Sequence, residues 1–337
     1  MLKPVNKSNT VFRIFFLFYL LLLTACAATT PKASTISKAR FYDDFIVVKA
    51  TAEDTLSSLA AEYLNEPNKD WLIAAFNDIK TLTPGQELII PLNRFNKGGL
   101  KADGYQTVPV LVYYNFSKDK PGKMIVTKEA FKAQMKYLKE NGYHVITLGQ
   151  FLDFINYQAQ IPEKSIVITF DDGWHSIYEI AYPILKKYGF PATLFLYTDF
   201  IGGQKAMSWK QVKELSENGF DIQCQSRTHR NLTSPGEKES FKEYFNSLEM
   251  EISYPKKLIK RKLNKKCSYL AYPYGKTNNL VIAILKKHGY RAAFTVKRQS
   301  NPFFVDKYRI HRSVIYGDYD LEKFKKNLSV FHKTELK

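Results

Sequence analysis

Apolar and polar positions follow three different patterns along the chain. Ile14 to Leu23 is an unbroken apolar run behind Lys3, Lys7 and Arg13. Its ten residues are too few to cross a hydrocarbon layer of about 30 Å as a helix, so the run predicts a secretory signal over 1–25. A polar stretch rich in Ala, Thr, Ser and Lys follows without periodicity, and predicts a linker over 26–44. In the second pattern, Phe45 to Leu92 reads as a small βααβ unit. Phe45 to Val48 predicts a strand, and Leu56, Leu59, Ala60 and Tyr63 fall at helical spacing behind Asp54, a residue able to cap the helix. Lys69 to Phe76 predicts a second helix ending at Asn77, and Pro84-Gly85-Gln86 predicts a turn into a strand that ends at Pro91.

The third pattern begins near Val108. Strand-like segments (Val108 to Tyr113, Ser165 to Phe170, Ala192 to Leu196, Phe220 to Cys224, Tyr269 to Tyr272, Ala292 to Thr295) alternate with helical ones (Lys128 to Asn141, Ile177 to Tyr188, Trp209 to Asn218, Ser240 to Lys262, Asn279 to His288 and from Leu321). Such alternation predicts an α/β domain over 108–330, a parallel sheet long enough to close into a barrel, with its site at the carboxyl ends of the strands.

Composition narrows the picture. With 337 residues, 45% hydrophobic and 24% charged, the chain is a folded body of more than one domain and not a multi-span membrane protein. The 50 Lys and Arg against 32 Asp and Glu leave +18, which favours anionic partners. Nucleic acid is not expected among them, since the signal sends the chain out of the cytoplasm and no nucleic-acid motif is present. Three cysteines, Cys26, Cys224 and Cys267, exclude a disulfide scaffold and a cysteine-rich zinc module. Cys224 and Cys267 lie in or just before strands that end at the site, and can bond to each other outside the cytoplasm or stay buried thiols. The run of Lys and Arg from Lys256 to Lys266 reads as a solvated helix face or as a docking surface for anionic glycan or membrane.

Candidate chemistry falls at three strand ends. Thr169-Phe170-Asp171-Asp172-Gly173 puts two carboxylates side by side after a buried strand. Adjacent side chains diverge, so one can hold a metal while the other takes a proton from water. Gln225-Ser226-Arg227-Thr228-His229 ends the second strand, and Ala271-Tyr272-Pro273-Tyr274-Gly275 forms a tight loop after the third, its backbone N–H groups available to an oxyanion.

In this order the segments resemble the polysaccharide deacetylases of carbohydrate esterase family four, over roughly Val108 to Leu328. The resemblance implies a distorted β/α barrel, a divalent ion (Zn, Co or Ni), and hydrolysis of the acetamide or acetyl ester of N-acetylglucosamine polymers such as peptidoglycan or an exopolysaccharide. By resemblance Asp171 is the general base, Asp172 and His229 are metal ligands, and the Tyr274 N–H serves the oxyanion. Gln225 stands where the family has its first ligand His, and an amide oxygen is a weaker donor than imidazole. Tyr114 replaces a His common after the first strand. Ala271 replaces an Arg that orients the base, a part that Arg312, near the carboxyl end, can take over. His311 is the candidate general acid; Tyr272, Pro273 and Trp209 are the candidate sugar-contacting residues. His175 is a further residue able to approach the metal from a helix start. These departures keep a second class open, a glycan-binding protein with a degenerate site.

Two further resemblances concern the first part of the chain. Leu23-Thr24-Ala25-Cys26 resembles the lipobox of bacterial lipoproteins, which implies a diacylated Cys26 and a lipid-anchored protein of the cell envelope, on the periplasmic face of the outer membrane. The unit over 45–92 resembles the lysin motif (LysM) through Asp54-Thr55-Leu56, Asn77 and Pro84-Gly85-Gln86, with Glu53 where that family usually has Gly. It implies binding to N-acetylglucosamine polymers.

Overall fold

The computed structural model describes residues 38–92 and 96–334. The signal over 1–25, Cys26 and most of the linker lie outside the described residues. Among the described residues no helix is long and apolar enough to cross a membrane.

The first body is a three-stranded antiparallel sheet, Ala39–Phe41, Phe45–Lys49 and Glu87–Pro91, under two helices, Leu56–Leu64 and Asp70–Phe76. Ile46, Val48, Leu59, Ala60, Ile73, Leu88 and Ile90 form its core. Its first strand falls inside the expected linker. It is held by backbone pairing of Arg40 with Val47 and by Lys38 on Asp54 at 2.8 Å, neither of which polar composition discloses. The helix cap also differs from expectation. Thr55 is the N-cap, in a reciprocal capping box with Ser58, while Asp54 turns back to the Thr51 N–H and hydroxyl. Asn77 works as a peptide surrogate: its side chain accepts from the Ile89 N–H and donates to the Ile89 and Ile73 carbonyls, tying the second helix to the last strand.

The second body is a curled parallel sheet. Its order is Ala292–Phe294, Tyr269–Ala271, Phe220–Ser226, Ala192–Tyr197, Ser165–Asp172, Val110–Tyr113 and Ser313–Val314. The two outer strands are joined across residues 310–314: Ile310 bridges Phe294, while Ser313 and Val314 pair with Leu111 and Val112. The expected strand from Val108 is divided at Pro109. A proline cannot donate to a ladder, and Gly104–Val108 turns away to pair with Phe331–Lys333 and Asn301–Pro302.

Strand alternation sorts the interior from the helix-covered face. Val110, Val167, Phe195, Ala271, Phe294 and Ile310 share one buried cluster with the helix Leu148–Ile155. Ile168, Phe170, Ile222 and Cys224 pack in the larger cluster under the outer helices. Cys224 and Cys267 are joined as a disulfide with Cα atoms 6.4 Å apart. In the basic run, Lys256 is fastened to the His288 and Gly289 carbonyls over the Tyr290 ring, and Lys262 sits over Trp209.

Candidate active site

The strand Ser165–Asp172 continues through both carboxylates, and the two-residue period of a strand explains their different surroundings. Asp171 follows Val167 and Thr169 on the interior face and is buried. There Arg312, itself fully buried, donates Nη1 to Asp171 Oδ1 at 2.7 Å and Nη2 to Oδ2 at 2.8 Å. Arg312 Nε donates to the Thr295 carbonyl, and its guanidinium lies over the Phe195 ring. Burial alone would weaken the guanidinium's hold on its proton; the Asp171 charge outweighs this and raises its pKa.

Asp172 faces the other way and has φ +73°. Its Oδ2 accepts from Trp174 Nε1 at 3.0 Å, and its Oδ1 is buried without a hydrogen bond, 3.5 Å from His229 Nε2. Burial, then the neighbouring Asp171 charge, push its carboxyl above the usual range, against the opposing pull of His229, Trp174 and Gln225. The next residue must be glycine. At Gly173, φ is +105° and a Cβ would lie 2.5 Å from Ile201 Cδ1.

His229 stands on the loop after Phe220–Ser226, at φ +65°, with its N–H donated to Ser226 Oγ at 2.8 Å. Tyr197 and Tyr274 flank its ring, with centroids 5.1 and 4.8 Å away. Tyr274, at φ +58°, is 60% exposed. Asp172, His229 and Tyr274 are thus three non-glycine residues held left-handed in one place, and local strain of this kind concentrates where a site needs exact side-chain aim.

Other expected site residues fall differently. Gln225 reaches the pair, but its Oε1 accepts the Asp172 backbone N–H at 3.0 Å. Tyr272 and Pro273 are buried, and the Tyr272 hydroxyl donates to the Tyr308 carbonyl. They are packed in the core and cannot meet a sugar; Tyr274 is the residue of this loop that faces solvent. Trp209 opens the helix Trp209–Glu217 beneath Lys262, and no hydrogen bond or ring contact links it to Asp172 or His229. Through its backbone, His311 is paired with Asn301. Its ring Nδ1 is buried without a partner, and burial, with the Lys297 charge, lowers its pKa. No hydrogen bond or ion pair joins it to Asp171, Asp172 or His229. His175 is turned to Glu179 and Gln211. Tyr114 is mostly buried, and its phenol pKa is raised by burial and then by Asp171.

Sequence reasoning missed Trp174, Tyr197 and Ser226. Trp174 adjoins the Asp-Asp-Gly motif and was the one within reach, as an N–H donor beside a carboxylate pair.

Among the described residues no group of three or more His, Cys, Asp or Glu could hold a metal. What does fit a cation is the orphaned Asp172 Oδ1 facing the His229 imidazole, an oxygen and nitrogen pair suited to Zn²⁺, Co²⁺ or Ni²⁺.

A curled α/β sheet thus carries a buried, arginine-clamped carboxylate beside an Asp–His pair at its strand ends, an arrangement suited to hydrolysis. The sequence pattern of the family described as polysaccharide deacetylase matches residues 158–293. The poly-β-1,6-N-acetyl-D-glucosamine N-deacetylase of Staphylococcus epidermidis is 33% identical over 200 residues, 57% of this chain and 68% of the relative. Its namesake from Staphylococcus aureus is 29% identical over 229 residues, 66% of this chain and 78% of the relative. Among solved structures, the deacetylase PplD of Streptococcus pyogenes superposes with a TM-score of 0.60 at 23% identity, over 66% of this chain and 98% of that one. A de-N-acetylase from Aggregatibacter actinomycetemcomitans gives 0.59 at 25% identity, over 65% and 99%. The chain belongs to the polysaccharide deacetylase family and is an enzyme of that class.

Proposed function

We propose that the protein removes N-acetyl groups from a β-linked N-acetylglucosamine polymer of the cell envelope. The observation that carries this reading is the Asp171–Arg312 clamp beside the Asp172–His229 pair. The names of the staphylococcal relatives favour a poly-β-1,6-linked exopolysaccharide over peptidoglycan.

Asp171 is the general base: it takes a proton from the water that attacks the acetamide carbonyl. Arg312 fixes both carboxylate oxygens in direction and leaves each with a free lone pair. Asp172 and His229 would hold the divalent ion, with Gln225 steadying Asp172 through its backbone N–H. When bound, such an ion supplies Lewis-acid polarisation and makes water more acidic. The Tyr274 N–H donates to the oxyanion of the tetrahedral intermediate, and its exposed ring offers an apolar face to the sugar. The departing amine needs a proton. His311, biased toward its neutral form and beside Lys297, is a poor donor, so the proton returns from Asp171.

The experiment is acetate release from β-1,6- and β-1,4-linked N-acetylglucosamine oligomers and from peptidoglycan, with added Zn²⁺, Co²⁺ or Ni²⁺. Turnover on the β-1,6 oligomers that chelator and Asp171→Asn both abolish is expected. Turnover indifferent to both would overturn the mechanism.

The rest of the reading concerns placement. Cys26 carries the lipid anchor that holds the enzyme at the envelope, and the 45–92 unit grips the polymer in the manner of a lysin motif. The strand-helix-helix-strand order and the Asn77 tie support the second point. Cys26→Ser should release the protein from membranes. A wild type without lipid label and a variant that still sediments with membranes would remove the anchor from the proposal.

A further inference from the structure

The loop that carries His229 is held from behind by a carboxylate outside the site. Glu251 lies in the middle of the long helix Phe241–Leu263 and is 4% exposed. Its Oε2 accepts the backbone N–H of Arg227 at 3.0 Å and of Thr228 at 2.9 Å, and its Oε1 accepts the Thr228 hydroxyl at 2.6 Å. Among the described residues Glu251 forms no ion pair within 4.0 Å. A carboxylate that leaves water without a cation is costly unless donors replace the lost hydration. Here those donors are two successive amides, a concavity suited to an anion, and they immediately precede His229.

The neighbouring contacts leave this loop little freedom. Arg227 reaches Asp199 through Nε at 3.1 Å and stacks its guanidinium over Tyr254, three residues along the same helix. The Thr198 and Asp199 N–H groups donate to the Ser226 and Arg227 carbonyls. These contacts fix Ser226 and Arg227, and the Ser226 hydroxyl accepts the His229 N–H; among the described residues Glu251 is the side chain that hydrogen-bonds Thr228, the residue next to the left-handed His229. A free loop would relax from φ +65°, because the left-handed region is unfavourable for a residue with a Cβ.

We propose that Glu251 is a positioning residue for the metal site. By binding the 227 and 228 amides it holds His229 in the left-handed conformation that turns Nε2 toward Asp172 Oδ1. The inference rests on the metal-ligand reading of Asp172 and His229, so its test needs a readout that works without metal. The His229 ring lies between Tyr197 and Tyr274, whose ring currents displace its Hε1 resonance, and that displacement reports ring position in the metal-free protein.

Glu251→Ala, Glu251→Gln and Thr228→Val are compared with the wild type by His229 Hε1 shift, by calorimetric titration with Zn²⁺ or Co²⁺, and by thermal unfolding. The alanine variant should move the Hε1 resonance toward the value of a free imidazole and weaken metal binding on the order of 10–100-fold. Its kcat should recover at saturating metal. Glu251→Gln, whose amide oxygen can still accept both N–H groups, should retain most of the affinity, and Thr228→Val should lose a few-fold. A folded alanine variant with the wild-type resonance and affinity overturns the proposal. If that variant does not fold, a Thr228→Val protein indistinguishable from wild type in both readouts overturns it. A wild type that binds no metal, with the Hε1 shift still responding to Glu251→Ala, leaves the positioning role standing and refutes the metal reading instead.

Discussion

Arg312 grips both oxygens of Asp171 from a position 141 residues away, inside the curled sheet, with Arg312 fully buried and Asp171 nearly so. Removing one partner of a buried pair leaves an uncompensated charge, at a cost of about 3–5 kcal/mol. Arg312→Met should therefore lower the urea midpoint by that equivalent and remove acetate release. Arg312→Lys should remain the more stable of the two, yet lose most activity, because an ammonium cannot hold both oxygens in a fixed plane. A fully active lysine variant would show that orientation of Asp171 does not matter.

Gln225 gives the clearest gain-of-function test. In Gln225→His an imidazole can join Asp172 and His229 as a third donor, while the Asp172 N–H loses its acceptor at a cost of about 1 kcal/mol. Metal affinity should rise on the order of 10–100-fold with a slightly lower thermal midpoint. Unchanged affinity on calorimetric titration would mean that position 225 faces only the Asp172 backbone.

His311 should mark the acid side of the stability profile. Burial, and then Lys297, hold its imidazole below the ordinary 6.5, so the folded state binds fewer protons there than the unfolded chain does. Stability is then lost as pH falls from 6.5 toward the lower folded value, and is fully present above 6.5. His311→Gln should flatten that part of the curve, measured as urea midpoints between about pH 5 and 7.5. A variant that keeps the wild-type slope would put the proton uptake elsewhere.

The Cys224–Cys267 bond closes a loop of separation 43 that contains Gln225, His229 and Glu251. Chain-entropy reasoning gives it about 4 kcal/mol. Reductant, or the double change to alanine, should lower the denaturant midpoint accordingly, and weaken metal binding only where unfolding begins. A midpoint indifferent to reductant would assign the two cysteines to the free-thiol state.

Much of this site was legible because its signals are local. Thr169 to Gly173 encodes a strand, two diverging carboxylates and a glycine at a φ of +105° that would strain any side chain. The loop at Tyr274 was legible as a turn, but which of its aromatics faces outward was not. Tyr272 and Tyr274 differ by their fit to the Tyr308 carbonyl and to His229, and those partners are set by packing. Glu251 was hidden for the same reason. In sequence it is one acid on an amphipathic helix, and only the docking of that helix on Phe220–Ser226 turns it toward the 227 and 228 amides. Ala39–Phe41 read as linker because an edge strand held by backbone pairing needs no apolar signature.

Residues 310–314 complete the sheet with little backbone pairing of their own, and Arg312 in their midst fastens them to the interior. Their partners, Leu111 and Asp171, lie far back along the chain, and such long-range pairings raise the contact order of the fold. Until this segment docks, Asp171 has no countercharge and the sheet has two open edges. Docking of this segment therefore also sets the proposed base in its final orientation. A nascent chain still short of Arg312 lacks the clamp on Asp171, so the carboxyl-terminal part of the chain is needed to complete the proposed site.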